Sequence, residues 1–368
     1  MEPLVLTYSD SNVETAAHVS AMKGFMEKVT EATHGKITFE THYAATLHPV
    51  TEALSAIETG LTDITLVAPS NVPELLPAAL WETTVAQSVI TPEFPMSLIQ
   101  GTPVQTAAYE EGPLAEELAK YDAATLATWG TAPNSALCKS EIASAEQAAG
   151  KRARTAGPPL VDEVEQMGMT SVTLPVTDVF EGLQRGVIDC FVNVVSPFIT
   201  LGLSDEAKYF IPAHFAVSYG TQLLIKKSVL ESMPLEAQQI IFDARVDLLT
   251  ATLKATLARN VQWANEASAE GVTFVDPTTF NEAIDVARQE YTKAALENAP
   301  SGIGDPAGFT DKLTGFADRW DDAAAGLEIK SGSPTNQQDW TELYQSVEDI
   351  DWDAYGDALH EFLAPYRP

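Results

Sequence analysis

Positive charge is scarce in this chain: 21 Lys and Arg stand against 52 Asp and Glu, a net charge of −31 at pH 7. Such a surface cannot neutralise phosphates, which excludes a general nucleic-acid binder, and anionic lipid repels it as well. Long apolar runs are missing too. The longest uncharged stretches, Phe94–Tyr109 and Cys190–Ser204, are broken by Pro, Ser, Thr or Gln, so neither spans a bilayer. Cys138 and Cys190 are the only cysteines; they fit no metal spacing and are expected as two buried thiols. The six histidines show no metal-ligand spacing either, and His42 and His48, flanking a loop, read as surface residues. No Walker loop, Gly-x-Gly-x-x-Gly, His-Glu-x-x-His or Gly-x-Ser-x-Gly is present. Neither a cofactor nor a metal is therefore expected. Asp349-x-Asp351-x-Asp353 imitates the start of a calcium loop, but Ala354 and His360 stand where Gly and a bidentate Glu are needed, so these read as helix-surface carboxylates.

What is there is enough for two domains and a sizeable core: 368 residues, 45% of them apolar. The acidity reads as a well-solvated surface suited to a salty habitat, where self-repulsion is screened. Met1-Glu2-Pro3 leads straight into an apolar strand, Leu4–Tyr8, with no signal peptide. That reads as a mature domain behind an added start Met, and so as an exported protein. Ser9-Asp10-Ser11-Asn12 offers capping side chains for a helix within Val13–Thr33, where Val19, Met22, Phe25, Met26 and Val29 recur at helical spacing. Gly35 ends that helix. A half-buried strand, Lys36–Tyr43, a short helix, Val50–Thr59, stopped by Gly60, and a strand at Asp63–Ala68 follow. Strand and helix alternating at these lengths predict a parallel, doubly wound sheet.

Residues 49–63 recur as 175–189. Pro, Val, Thr, Gly and Asp are identical in the two copies, which both read as a strand end, a helix, a Gly stop and a strand opening at Asp. The repeat predicts two lobes of like topology with a ligand cleft at the carboxyl ends of their strands. Leu235–Gly271 keeps helical periodicity over about 37 residues, near 50 Å, long enough to cross both lobes. From Ser331 to Tyr366 there are eight acidic residues and no Lys or Arg. This is expected to be a solvated helical tail packed through Trp340, Tyr344, Trp352, Tyr355 and Phe362.

The densest basic cluster, Lys151-Arg152-Ala153-Arg154, follows Gly150 and leads into a helix around Leu160–Met167. Strand alternation sends Arg152 and Arg154 to one face. An Arg at a strand's carboxyl end points into the cleft, where its planar fork suits a carboxylate. The order of these features resembles the extracytoplasmic solute receptors of tripartite ATP-independent periplasmic (TRAP) transporters, the DctP-like family. The resemblance covers roughly residues 1–300. It is carried by Phe25–Lys36 (FMEKVTEATHGK), Glu52–Ile64 (EALSAIETGLTDI), Gly150–Gly157 (GKRARTAG), Val179–Asn193 (VFEGLQRGVIDCFVN), Glu206–Phe210 (EAKYF) and Ile225–Ala244 (IKKSVLESMPLEAQQIIFDA). The specific pair is the Arg that ends the Gly-x-x-x-Arg strand and the Asn four residues after Gly-x-x-Asp.

The resemblance implies an α/β, two-lobe, clam-shell fold like that of periplasmic binding proteins, with a long helix crossing both lobes. It implies a periplasmic, non-enzymatic protein, expected as a monomer, that hands a small organic acid to the small and large permease subunits in the membrane. By position, the carboxylate clamp falls on Arg154 and a second contact to the same anion on Asn193. Lobe 1 is expected over 1–127 with part of 215–250, lobe 2 over 128–214 with part of 251–330, and an acidic helical extension over 331–368. Two departures stand out: Ala132, after Trp129-Gly130-Thr131, replaces an Arg that many relatives carry, which favours a single carboxylate or sulfonate over a dianion; and Cys190 stands where Gly is usual. Further candidate ligand residues are Asp10, Asn12, Ser70, Asn71 and Trp81 from lobe 1, with Trp129 and Asn134 just before the second lobe's strand. Trp81 reads either as a stacking platform or as a core residue, and Asp10 either as a partner for a ligand amine or as a helix cap. Ser9 is a further loop candidate. The rival reading is a salt-adapted two-domain α/β enzyme that uses Arg154 to hold an acid substrate; the missing catalytic fingerprint counts against it.

Overall fold

The structure, a computed structural model, describes residues 2–14, 16–155 and 157–368. The chain opens β1 (Leu4–Ser9), α1 (Ala17–Ala32), β2 (Ile37–His42), α2 (Ala53–Thr59), β3 (Ile64–Val67). All five apolar positions read from the helical spacing of α1 are buried. Gly35, at φ +73°, closes the helix by donating its N–H to Thr30 O at 2.8 Å. The other end differs from expectation: the residue preceding α1 is Ala16 and no side chain caps it, because Asp10 is engaged elsewhere. After α3 (Pro77–Val85) and α4 (Gly101–Ala108), β4 (Ala123–Trp129) completes the outward run.

The chain then crosses to a second sheet: β5 (Asn134–Cys138), β6 (Arg152–Arg154), α5 (Pro158–Gln166), β7 (Thr170–Val172), α6 (Val179–Gln184), β8 (Cys190–Asn193), α7 (Val195–Thr200), β9 (Tyr209–Phe215). It crosses back with β10 (Thr221–Lys226), runs through α8 (Leu235–Ala269), adds the edge strand β11 (Thr273–Phe274) to the second sheet, and continues as α9 (Thr278–Glu297) and α10 (Pro306–Ala323). Among the described residues the strands form two sheets, ordered β2-β1-β3-β10-β4 and β11-β9-β5-β8-β6-β7. Each mixes parallel neighbours with antiparallel ones contributed by the crossing strands. At 35 residues, α8 is about 52 Å long. It packs on α1 and β4 of the first lobe and on α7 of the second.

The sequence repeat is a structural repeat down to single hydrogen bonds. Thr7 N donates to Asp63 Oδ2 (2.8 Å), as Arg152 N does to Asp189 Oδ2 (2.9 Å). Gly60 and Gly186 end their helices at φ +76° and +67°. Lys226 Nζ caps the first helix at Ile57 O (2.8 Å), and Lys139 Nζ caps the second at Leu183 O (2.5 Å). Each pair of helix positions lies 126 residues apart in the chain.

Two connections, 130–133 and 216–220, bridge the lobes side by side. Thr131 N donates to Ser218 O at 3.0 Å, and Gln87 grips Val217 from both sides, Nε2 to its O at 2.6 Å and Oε1 from its N at 3.2 Å. Gly130 is required here: a Cβ would stand 2.8 Å from Tyr219. Asn134 Nδ2 donates to Ala216 O at 2.5 Å and Ala216 N to Glu163 Oε2 at 2.8 Å, so the 216–220 connection is held by side chains of both lobes.

Two expectations are corrected. Cys138 and Cys190 are joined in a disulfide instead of standing as thiols, because the antiparallel β5–β8 register sets them directly opposite. His48 is buried, its Nε2 2.6 Å from Ser9 Oγ. The tail packs as expected: α11 (Gln337–Gln345) and α12 (Trp352–Leu363) lie on α8. Trp340, Tyr344, Tyr355 and Phe362 are buried and Trp352 is half-buried. Asp351 caps α12 by accepting from Ala354 N at 3.0 Å.

Candidate functional site

The segments following β1 and β8 reach the gap between the lobes, the place where an open α/β sheet presents its loops. A cavity of about 490 Å³ lies there, within the range of small-ligand sites. Asn12, Val13 and His18 line it from the first lobe, Trp129 from the end of β4, Gly130–Ala132 from the bridge, Val194–Ser196 from the second lobe, and Arg259 and Asn260 from α8; Arg154 is not part of this lining.

Behind the first-lobe wall sits Asp10, 1% exposed. It accepts from Tyr8 OH (2.6 Å), Asn12 N (2.8 Å), Asn12 Nδ2 (2.9 Å) and His18 Nε2 (2.7 Å). Burial pushes its carboxyl up, but hydrogen bonds from His18 and Tyr8 and the His18 charge outweigh that, and the net shift is below the ordinary Asp value. Asp10 thus neither caps α1 nor faces a ligand amine; it orients His18, whose ring lies 6.1 Å from Trp129 at 36°.

Arg154 ends β6 at 9% exposure. Its Nε donates to Leu174 O at 2.8 Å, its guanidinium stands 5.4 Å over Phe191, and Nη1 is buried without a partner. Burial pulls its value below that of an ordinary Arg. Two other arginines are as deeply buried, and each has a carboxylate: Arg245 with Glu110 at 2.5 Å and Arg288 with Glu163 at 3.6 Å. Among the described residues no carboxylate pairs with Arg154. Arg152, from the same cluster, is committed instead to Asp189 and Gly186 O.

The remaining candidates divide. Asn12 and Trp129 line the cavity. Asn193, half-buried, adjoins its wall at Val194; its Oδ1 accepts from Val194 N (2.8 Å), leaving Nδ2 as the free donor. Ser70 and Asn71 are exposed on the turn after β3, with Asn71 Oδ1 taken by Ala68 N. Trp81 does not reach the cavity: it is 6% exposed, bonded to Ala295 O (2.7 Å) and packed edge-on against Phe309. Asn134 is a strut of the bridge. Sequence reasoning missed His18, Arg259 and Asn260. The last carried a signal, since it interrupts the apolar stripe Leu253, Leu257, Val261 of α8 with an amide.

A family model described as bacterial extracellular solute-binding protein, family 7 (DctP), matches residues 9–298. A solute-binding protein of Verminephrobacter eiseniae is 22% identical over 311 residues, 79% of this chain and 88% of that one. A TRAP periplasmic solute-binding protein from Sulfitobacter sp. NAS-14.1, solved with bound β-D-galacturonate, superimposes with a TM-score of 0.62 at 19% identity, covering 85% of this chain and all of the other. DctP7, a Bordetella pertussis extracytoplasmic solute receptor binding pyroglutamic acid, gives 0.66 at 16% identity over 84% and 99%.

Proposed function

The chain belongs to the DctP family of bacterial extracellular solute-binding proteins, and on that premise we propose that it captures a small organic acid in its interlobe cleft, clamps the carboxylate with Arg154, and delivers it in the periplasm to the membrane subunits of a TRAP transporter. Members of this family are receptors, not enzymes, which sets aside the rival reading of a salt-adapted two-domain α/β enzyme acting on an acid substrate. One observation carries the assignment of the clamp: a buried guanidinium with no carboxylate of its own in a chain that has 52 acids to offer. A buried charge is costly until paired, and a ligand carboxylate supplies the pair bidentately. The solutes of the two solved relatives are both carboxylates. The Cys138–Cys190 bridge supports an oxidising compartment such as the periplasm. The protein acts as a monomer in this reading, with lobes meeting at the 130–133 and 216–220 bridges.

A thermal-shift screen tests the proposal. A micromolar ligand at millimolar concentration stabilises the fold by about 4 kcal/mol, a rise of several degrees. The expected result is a sharp rise with at least one mono-acid; no rise with carboxylates, sulfonates or zwitterions defeats the acid-receptor reading. Asn193→Ala is expected to weaken binding by about 1–3 kcal/mol without changing the melting of the unliganded protein. Wild-type affinity in that variant removes Asn193 from the site.

A further inference from the structure

Beyond residue 298, where the family match ends, the chain turns back along α8. At the first-lobe end of that helix Arg367 pairs with Asp243 through two bonds of 2.8 Å, and Gln239 Nε2 donates to Pro368 O at 2.8 Å. At the other end Gln345 Nε2 donates to Asn265 Oδ1 at 2.9 Å and Gln337 Nε2 to Ser268 Oγ at 3.3 Å. A helix rises about 44 Å between residues 239 and 268, so the extension is fastened over most of the length of α8.

Midway along it, Tyr344 of α11 is buried where the lobes meet. Its ring stands edge-on to Phe94 of the first lobe, centroids 4.6 Å apart at 73°, and Gly332 N donates to Phe94 O at 3.2 Å. Its hydroxyl adjoins the side chains of Ser135, on β5 of the second lobe, and Asn260 of α8. Both lobe contacts lead into the bridges. Ser135 follows Asn134, the strut to Ala216, and three residues after Phe94 the carbonyl of Ser97 accepts from Tyr219 OH at 3.2 Å.

We infer that the C-terminal extension is a brace across the hinge, and that Tyr344 is the positioning residue through which it holds the two lobes in register. Rotation of one lobe against the other must move Ser135 relative to Phe94, and Tyr344 touches both. All three side chains are buried, so water does not replace a hydrogen bond that the movement breaks. Close-packed side chains also resist displacement steeply. A hinge held in this way has fewer open orientations to give up when the lobes close on a solute.

Hydrogen–deuterium exchange of the full, ligand-free chain tests this. Thr131 N, Val217 N and Ser218 N are bonded between the bridges or to Gln87, so they report opening of the hinge separately from unfolding of a lobe. Tyr344→Phe deletes the hydroxyl and keeps the ring. In that variant the bridge amides are expected to exchange about tenfold faster, with amides of β1 and β8 at wild-type rates. Ser135→Ala removes the neighbour of the hydroxyl in the second lobe and is expected to reproduce the pattern; it carries the test if Tyr344→Phe does not fold. Gln345→Ala cuts an exposed contact of the same extension and is expected to leave the bridges unchanged. Wild-type exchange at the bridges in Tyr344→Phe, or equal acceleration of bridges and sheets, overturns the brace and leaves the extension a source of stability alone. Equal acceleration in Gln345→Ala overturns the assignment to Tyr344. No solute enters the experiment, so failure of the brace leaves the acid-receptor reading intact, and failure of that reading leaves the brace.

Discussion

Arg154→Ala is expected to abolish acid binding, by roughly 3–5 kcal/mol or at least a hundredfold in Kd, because it strips a desolvated anion of its counter-charge. The unliganded protein should lose little stability. Among the described residues Arg154 is buried without a carboxylate partner, and its one hydrogen bond to them, Nε to Leu174 O, is offset by the cost of holding a charge out of water. Arg152→Ala provides the opposite case from two residues away. It removes the 3.1 Å bond to Asp189 and the cap on Gly186 O, so it should lower the melting temperature and leave affinity near wild type. Calorimetry and thermal melts of the two variants give a crossed pattern. Equal losses of affinity in both would show that Arg154 is not the clamp.

The second large effect concerns pH. Glu82, on α3, has no exposed surface; its Oε1 accepts from Gln105 Nε2 at 2.5 Å and its Oε2 has no partner. Burial pushes its carboxyl up to about 8 from an ordinary 4.5, with Gln105 opposing only in part. The folded state therefore holds this proton more tightly than the unfolded chain does. The stability it contributes is complete below about pH 4.5 and is lost as pH rises through about 8. With 1.36 kcal/mol per pH unit, the loss across that window reaches about 5 kcal/mol as an upper value. Glu163, pushed up to about 7 by burial against the pull of Arg288, adds a slope of the same sign. Glu82→Gln keeps the shape and removes the titration. Its stability relative to wild type should therefore rise by several kcal/mol between about pH 5 and pH 9, measured by denaturant unfolding at each pH. An unchanged difference across that range would mean that Glu82 titrates normally.

What could be read from the sequence was local. The stripe on α1, the glycine stops at 35, 60 and 186, the length of α8 and the aromatic packing of the tail all follow from periodicity and turn chemistry within a few residues. The place of Arg154 at the end of β6 was legible because a strand end fixes where an alternating side chain goes. What failed was set by distance along the chain. Asp10 looked like a cap because nothing nearby showed that His18 would turn back onto it. His48 looked exposed because its partners Ser9 and Thr65 lie 39 and 17 residues away. The cysteine pairing depends on a register between strands 52 residues apart. Trp81 has an indole N–H that only α9 could satisfy. Arg259 and Asn260 sat on a helix whose face towards the cleft is decided by packing at both of its ends.

The repeated corner also sets the two lobes apart in polarity. Thr7 and Arg152 occupy matching places, so two residues further on Ser9 corresponds to Arg154, and the groups they touch, His48 and Leu174, again stand 126 positions apart. The two corners are in this sense equivalent positions of one repeated unit. One copy of the position became a neutral hydroxyl knotted to an imidazole and two threonines, the other a lone cation. An acid has one charged end, so a faithful duplicate would have offered it two competing sockets. With Arg154 as the proposed clamp, this unlike pair offers an acid one charged socket and so gives it a single orientation in the cleft.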